Sequence, residues 1–167
     1  MEPVVIEPIV MELVVLVGLQ ASGKSTFFRT YFANTHVHIS KDLMRNNRNR
    51  DRRQTQLLIA ALEAGRSVAI DNTNPTAEER MTLIQQGQRY GAAIVGYYFE
   101  SDLPACLERN QQRTGKARVP DVGLYATLKK LVIPSYSEGF QQLFRVAIAP
   151  NRTFTIQHLH QSRDGGQ

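Results

Sequence analysis

Lys24 and Ser25 close the run Gly18-Leu19-Gln20-Ala21-Ser22-Gly23-Lys24-Ser25-Thr26, a spacing that gathers an ammonium and a hydroxyl around one polyanion. The run has the form G-x-x-x-x-G-K-[ST], whose glycines permit positive φ and close approach of backbone amides to phosphates. Loop amides and the N-terminus of a following helix point positive dipole at the same anion. Lys24 then reaches the β and γ phosphates of ATP or another NTP, and Ser25 offers its hydroxyl to Mg²⁺. Gly18, Ala21, Ser22, Gly23 and Thr26 complete the expected cradle. A glycine turn with a chance lysine is the plainer alternative. It leaves unexplained why an apolar run at 13–17 precedes the motif and a helix-compatible stretch at 24–33 follows it.

Three further groups carry chemistry. In Ser40-Lys41-Asp42-Leu43-Met44-Arg45 a carboxylate precedes an arginine by three residues. On the first turn of a helix both share one face. There Asp42 would take a proton from an acceptor hydroxyl, and Arg45 would hold an anionic group on that acceptor. The alternative is a dipole-stabilised carboxylate beside a solvated arginine. Asp71 ends the apolar run Val68-Ala69-Ile70, the position of a Walker B carboxylate that holds Mg²⁺. Asn72, Thr73 and Asn74 follow it with neutral hydrogen-bonding groups, suited to positioning substrate or Asp42 and also to capping a turn. Arg109 and Arg113 lie four apart on one helix face, where like charges repel unless an anion lies between them. They lead into Thr114-Gly115-Lys116-Ala117-Arg118-Val119-Pro120, a lid bracketed by Gly115 and Pro120. Closure of such a lid brings an arginine onto a transferring phosphoryl group, although cations at a helix C-terminus also serve the dipole alone. His36 and His38 alternate along a strand, as do His158 and His160. No Cys/His set has metal-site spacing, and all four read as structural or surface residues.

Strand-like segments at 13–17, 37–39, 67–70, 92–98 and 146–148 alternate with helix-like ones at 24–33, 53–64, 76–90, 103–113 and 122–131. Leu57, Leu58, Ala61 and Leu62 make an apolar stripe of helical period, ended by Gly65. Thr76 with Glu79 three residues on is a capping-box pattern. Continuous apolar strands between helices predict an α/β parallel sheet of P-loop NTPase type, with helices on both faces and an arginine-bearing lid. Ligands then lie at the C-terminal ends of the strands. The 167 residues read as a single domain with a core at about 13–149 and a polar tail from about 157 to 167. Cys106 reads as a small buried apolar residue, and a lone cysteine fits a reducing, cytoplasmic compartment. Residues 1–19 are apolar but carry Glu2, Glu7 and Glu12, which fits neither a signal peptide nor a membrane span.

The net charge is +5, with an isoelectric point near 9.6, which favours a polyanionic partner. Arg45, Arg48, Arg50, Arg52 and Arg53 fall within nine residues, and Arg109, Arg113, Lys116 and Arg118 within ten. Both groups follow strand ends of a nucleotide-binding fold. Two solvated patches are the alternative reading.

Taken in order, the phosphate loop at 18–26, Ser40-x-Asp42-x-x-Arg45, Asp71-x-Thr73-Asn74 and Arg109-x-x-x-Arg113 followed by Arg118-Val119-Pro120 resemble the kinase domains of polynucleotide 5′-hydroxyl kinases. Both the phage end-healing and the bacterial RNA-repair types are similar, over about residues 13–144. The resemblance implies transfer of the γ-phosphate of ATP to 5′-OH ends of RNA or DNA, with Mg²⁺. It makes Asp42 the general base and Arg45 the residue holding the acceptor strand's phosphate. Thr73, Asn74 and Arg118 join it as substrate contacts. Lys24 and Ser25 become the NTP and Mg²⁺ contacts, and Arg113, supported by Arg109, the lid arginine on the donor phosphates. Proteins of this family often carry a fused phosphatase or ligase. This chain has no D-x-D-G-T-like motif, so a stand-alone kinase or one subunit of a split repair system, with a separate phosphatase or ligase partner, is expected. The phage pattern places an acid where this chain has Asn72; the bacterial pattern matches Asp71. A small-molecule or nucleotide-sugar P-loop kinase and an ATP-binding regulatory module are the rival readings, and oligomeric state is left open.

Overall fold

Leu13, Val14, Val15, Leu16 and Val17 are all 0% exposed, as a β-branched apolar run must be when helices cover both faces of its sheet. They belong to β1 (Glu12–Val17). In the computed structural model residues 10–161 are described; Met1 to Ile9 lie outside them, and with them nearly half of the segment read above for a leader. Next in the chain come α1 (Lys24–Tyr31), β2 (Val37–Ile39), α2 (Arg50–Glu63), β3 (Val68–Asp71), α3 (Ala77–Arg89), β4 (Ala93–Phe99), α4 (Leu103–Gln111), α5 (Asp121–Lys130), β5 (Gln142–Ile148) and β6 (Phe154–Leu159). The sheet order is β2-β3-β1-β4-β5-β6, so β1 is central and the phosphate loop leaves the middle of the sheet.

Alternation along β1 divides the core. Leu13, Val15 and Val17 pack with Leu58 and Leu62 of α2 and Leu83 and Ile84 of α3. Val14 and Leu16 pack on the other face with Phe27 and Phe28 of α1 and Phe99 of β4. A third cluster joins Leu19, Cys106 and Leu124, seating the lid helices α4 and α5 beside the loop. Cys106 is buried as expected. Burial pushes its thiol up from the ordinary value, against the pull of Arg109, so it stays an unionised apolar filler.

The α/β architecture with helices on both faces is as the sequence implies, and two features of the sheet are not. It is mixed rather than parallel, because β6 runs antiparallel to β5, pairing Val146 with Ile156 and Phe144 with His158. Residues 157–159, read as tail, therefore belong to the sheet, and residues 162–167 lie outside the described ones. In addition, β5 begins at Gln142 rather than 146; only Leu143 and Val146 of its seven residues are buried, so no continuous apolar run marks its start. Helix α2 also starts at Arg50 rather than 53. The Asn49 side chain caps it by accepting from Arg52 N at 3.0 Å. This puts Arg50, Arg52 and Arg53 into a first helical turn, where the dipole favours negative charge.

Candidate active site

The phosphate loop is bent by two residues at positive φ, Ala21 (60°) and Gly23 (102°). Gly18 keeps an ordinary φ; its need for glycine is space, since a Cβ there would stand 2.8 Å from Phe99 Cβ. Gly18 N donates to Thr73 O at 3.0 Å, stitching the loop to the end of β3. Lys24 is 8% exposed. Its Nζ donates to Gly18 O at 3.0 Å, Leu19 O at 2.6 Å and Ser22 Oγ at 3.3 Å. Burial depresses its pKa to about 8, against the opposing charge of Asp71.

Asp71 is the convergence point of β2, β3 and α1. Its Oδ2 accepts from Ser25 Oγ at 2.7 Å and meets His38 Nε2 at 2.8 Å. Burial raises its pKa, but the hydrogen bonds from His38 and Ser25 and the charge of Lys24 outweigh this, so the carboxyl stays ionised below the ordinary range. The His38 ring stacks on Phe28, centroids 3.9 Å apart, which fixes its orientation. His38 is therefore a site residue that the sequence reading set aside. The signal was present: a polar residue two before Ser40, on a strand that the parallel register sets against β3, His38 opposite Ala69.

Asp42 sits on a short 3-10 turn, Lys41–Leu43, rather than on an α-helix. Ser40 Oγ accepts from Asp42 N at 3.3 Å, and Asn72 Oδ1 accepts from Lys41 N at 2.9 Å. Asn72 Nδ2 in turn donates to Gln54 Oε1 at 2.7 Å, tying the turn to α2. Lys41 Nζ pairs with Asp51 Oδ1 at 2.5 Å across the same junction. Arg45 lies beyond the turn and donates from Nε to the Asp42 carbonyl at 3.2 Å. Both Asp42 and Arg45 line the cleft.

Thr73 also lines the cleft. Asn74 does too, but its φ is 42° and it is buried, with Nδ2 donating to Leu16 O at 2.8 Å. Its amide thus anchors β3's exit to β1 and acts on a substrate through the shape of the turn. Beneath it Arg80 is 0% exposed. Arg80 Nη1 donates to Asn74 O at 2.9 Å, while Nε and Nη2 fork onto Glu138 at 2.7 and 3.1 Å.

Among the expected lid residues, Arg113 faces the cleft with Lys116 and Ala117; its Nη1 donates to Ala117 O at 3.4 Å. Arg109 and Arg118 depart from their expected ligand contacts. Arg109 turns under the loop and donates from Nε to Ala21 O at 2.6 Å. Arg118 is exposed and outside the cleft lining. The base of the lid is held by a clasp the sequence does not reveal. Asn110, 0% exposed, donates to Val119 O at 2.7 Å and accepts from Val119 N at 3.1 Å, pinning the lid's base to α4.

These elements enclose one cleft of about 1120 Å³, above the range of a typical single small-molecule pocket. The phosphate loop, Asp71 and Arg113 form one half; Asp42, Arg45, Asn49, Arg52, Thr55, Glu78, Glu79 and Thr82 form the other. A central parallel strand feeding a phosphate loop and an acid at the end of the neighbouring strand define a P-loop nucleotide-binding fold.

The chain belongs to the AAA domain family (AAA_33), which matches residues 13–131. It is 27% identical over 139 residues to the bifunctional polynucleotide phosphatase/kinase of Schizosaccharomyces pombe, covering 81% of this chain and 33% of that protein. The chain spans about a third or less of the length of the curated relatives it matches. In fold it is similar to a fungal RNA kinase (TM-score 0.63, 13% identity, covering 95% of this chain and 80% of that one). A gluconokinase from Sinorhizobium meliloti is also similar (TM-score 0.56, 21% identity, 83% of each chain). Among the described residues no helix is long and apolar enough to cross a membrane.

Proposed function

We propose that this P-loop kinase transfers the γ-phosphate of ATP to 5′-hydroxyl ends of RNA or DNA. The observation that carries this reading is the placement of Arg50, Arg52 and Arg53 in the first turn of α2, where the helix dipole disfavours cations. Arg45 and Arg52 line the cleft, and neither they nor Arg48, Arg50 and Arg53 have a carboxylate within salt-bridge distance among the described residues. The nearest acid in the run, Asp51, is taken by Lys41. A polyphosphate backbone supplies the missing anions; a sugar does not. The polynucleotide phosphatase/kinase relative supports the same acceptor.

In this reading Asp42 takes the proton of the 5′-hydroxyl as its oxygen bonds to the γ-phosphorus and the bond to ADP breaks. Arg45 and Arg52 hold the acceptor's phosphates. Lys24 and Arg113 meet the negative charge developing on the transferring group. A magnesium ion fits the remaining donors, because Ser25 Oγ and a Asp71 carboxylate held ionised lie 2.7 Å apart beside the loop. Mg²⁺ favours one or two such ligands plus phosphate oxygens and water. Held by Ser25 and Asp71, it would supply positive charge that offsets the charge of the phosphates. A separate phosphatase or ligase would complete end healing.

The test is transfer from γ-³²P-ATP to oligonucleotides bearing 5′-OH, beside 5′-phosphorylated controls and gluconate. Label on 5′-OH strands alone, lost in Asp42→Asn while ATP still binds, is the expected result. Label on gluconate and not on oligonucleotides would replace this reading with a small-molecule kinase, for which the neutral lining of Asn49, Thr55, Asn72 and Thr82 would serve.

A further inference from the structure

The sheet has two edges, and they are finished differently. At one, β2 is only three residues long, and short edge strands are one way in which natural sheets avoid unwanted pairing. At the other, β6 is six residues long and reads Phe154-Thr155-Ile156-Gln157-His158-Leu159, with no acid, lysine, arginine or proline. Among the described residues nothing pairs with its far side. Thr155 to His158 are all exposed, Ile156 by 41%. An edge of that length and composition is a template for another strand.

The hydrogen-bond phase of β5 and β6 says which groups are on offer. Ala149 N donates to Thr153 O at 2.8 Å, and on the β4 side Glu100 N donates to Val146 O at 2.9 Å. Antiparallel pairs alternate between bonded and non-bonded, so Val146 and Ile156 form a non-bonded pair. The main-chain N–H and C=O groups of Phe154, Ile156 and His158 therefore point away from β5. Their side chains share a face with Val146 and Ile148, and the Tyr31 ring lies beside Phe154 at a centroid distance of 6.3 Å. A second β6, brought up antiparallel about a twofold axis through Ile156, matches this row. Ile156 then meets its own copy, Phe154 meets His158 of the partner subunit, and Thr155 meets Gln157 of the partner subunit. These contacts are apolar, aromatic or neutral polar, and no carboxylate, lysine or arginine is set against its like. A twofold axis normal to the sheet also keeps each side chain on its own face. One such pairing uses the long edge of both copies and leaves only the short β2 edges, so assembly stops at two. We infer that the chain forms a twofold dimer through its β6 edges, joining two six-stranded sheets into one. Asp42 and Arg45 follow β2 at the opposite end of the sheet, so the acceptor half of each cleft stays open.

The experiment is sedimentation velocity on the full chain from about 1 to about 200 μM, because a single strand pair is a small interface and the dimer should be concentration-dependent. The mass should rise from one chain toward two across that range. Ile156→Lys, at an exposed position, sets two ammonium groups together at the axis and should hold the chain monomeric, with thermal melting establishing that it is folded. The register is read by cross-linking with oxidised glutathione. Ile156→Cys puts the two Cα atoms about 5.5 Å apart and should cross-link. Gln157→Cys puts them about 8 Å apart, beyond disulfide reach, and should not. Cys106 is buried and adds no background. A mass that stays at one chain at every concentration overturns the inference. So does a dimer that persists in the folded Ile156→Lys variant, or one that cross-links through Gln157→Cys and not through Ile156→Cys.

Discussion

Triphosphate binding should draw a proton onto Lys24, and the size of that uptake can be worked out from its surroundings. Burial holds the Lys24 pKa at about 8. Phosphates placed against Nζ supply the counter-charge that burial removes and return the group toward its ordinary 10.5. At pH 9 the fraction of Lys24 protonated then rises from about 0.1 to about 0.95, an uptake of about 0.85 proton per ATP. At pH 7 the group is about 0.9 protonated before binding and uptake falls to about 0.1. The sign for folding is consistent: between pH 8 and 10.5 the unfolded chain binds more protons at Lys24 than the nucleotide-free fold, so this residue's contribution to stability rises with pH, by about 3 kcal/mol at most. Calorimetric titration with ATP at pH 9, in two buffers of different ionisation enthalpy, reads the uptake directly. Lys24→Met should abolish it. An uptake below about 0.2 proton at pH 9, or one that survives in Lys24→Met, would refute the argument that burial depresses this lysine.

Two further outcomes follow from buried polar groups. His38→Ala removes a 2.8 Å partner from Asp71 and should raise the Mg²⁺ concentration for half-maximal turnover about tenfold or more; an unchanged Mg²⁺ dependence would show that His38 only packs on Phe28. Arg80→Met strands the Glu138 carboxylate, 12% exposed, and should cost about 3–5 kcal/mol in urea unfolding. Pairing it with Glu138→Leu should recover most of that loss, and a single-variant cost under about 1 kcal/mol would sink the account.

What the sequence disclosed, it disclosed through local signals. The run at 13–17 is apolar because both faces of β1 are covered, and the loop motif follows it without a gap. Asp42, Arg45 and Asp71 were found by spacing to strand ends, and the topology brings them to one cleft. What stayed hidden depends on long-range partners. Arg80 and Glu138 are 58 residues apart, and an arginine on an amphipathic helix reads as solvated until its partner is known. Asn110 carries no local signal, because its partner Val119 lies on the far side of the lid turn. The strand β6 carries no alternating or continuous apolar signal because it is an edge strand whose residues Thr155, Ile156, Gln157 and His158 are all exposed.

The division of labour along the chain has a consequence for what substitutions can change. The donor half of the cleft is held by β1, its loop and Asp71, all locked to the centre of the sheet by main-chain bonds such as Gly18 N to Thr73 O. The part of the acceptor half from Asp42 to Arg52 hangs on one short excursion from the end of β2 to the start of α2, fastened by Lys41–Asp51 and Asn72–Gln54, while Glu78, Glu79 and Thr82 of α3 complete that half. Substitutions confined to residues 42–55 can therefore reshape one part of the cleft while leaving the bonds that hold the phosphate loop to the sheet untouched.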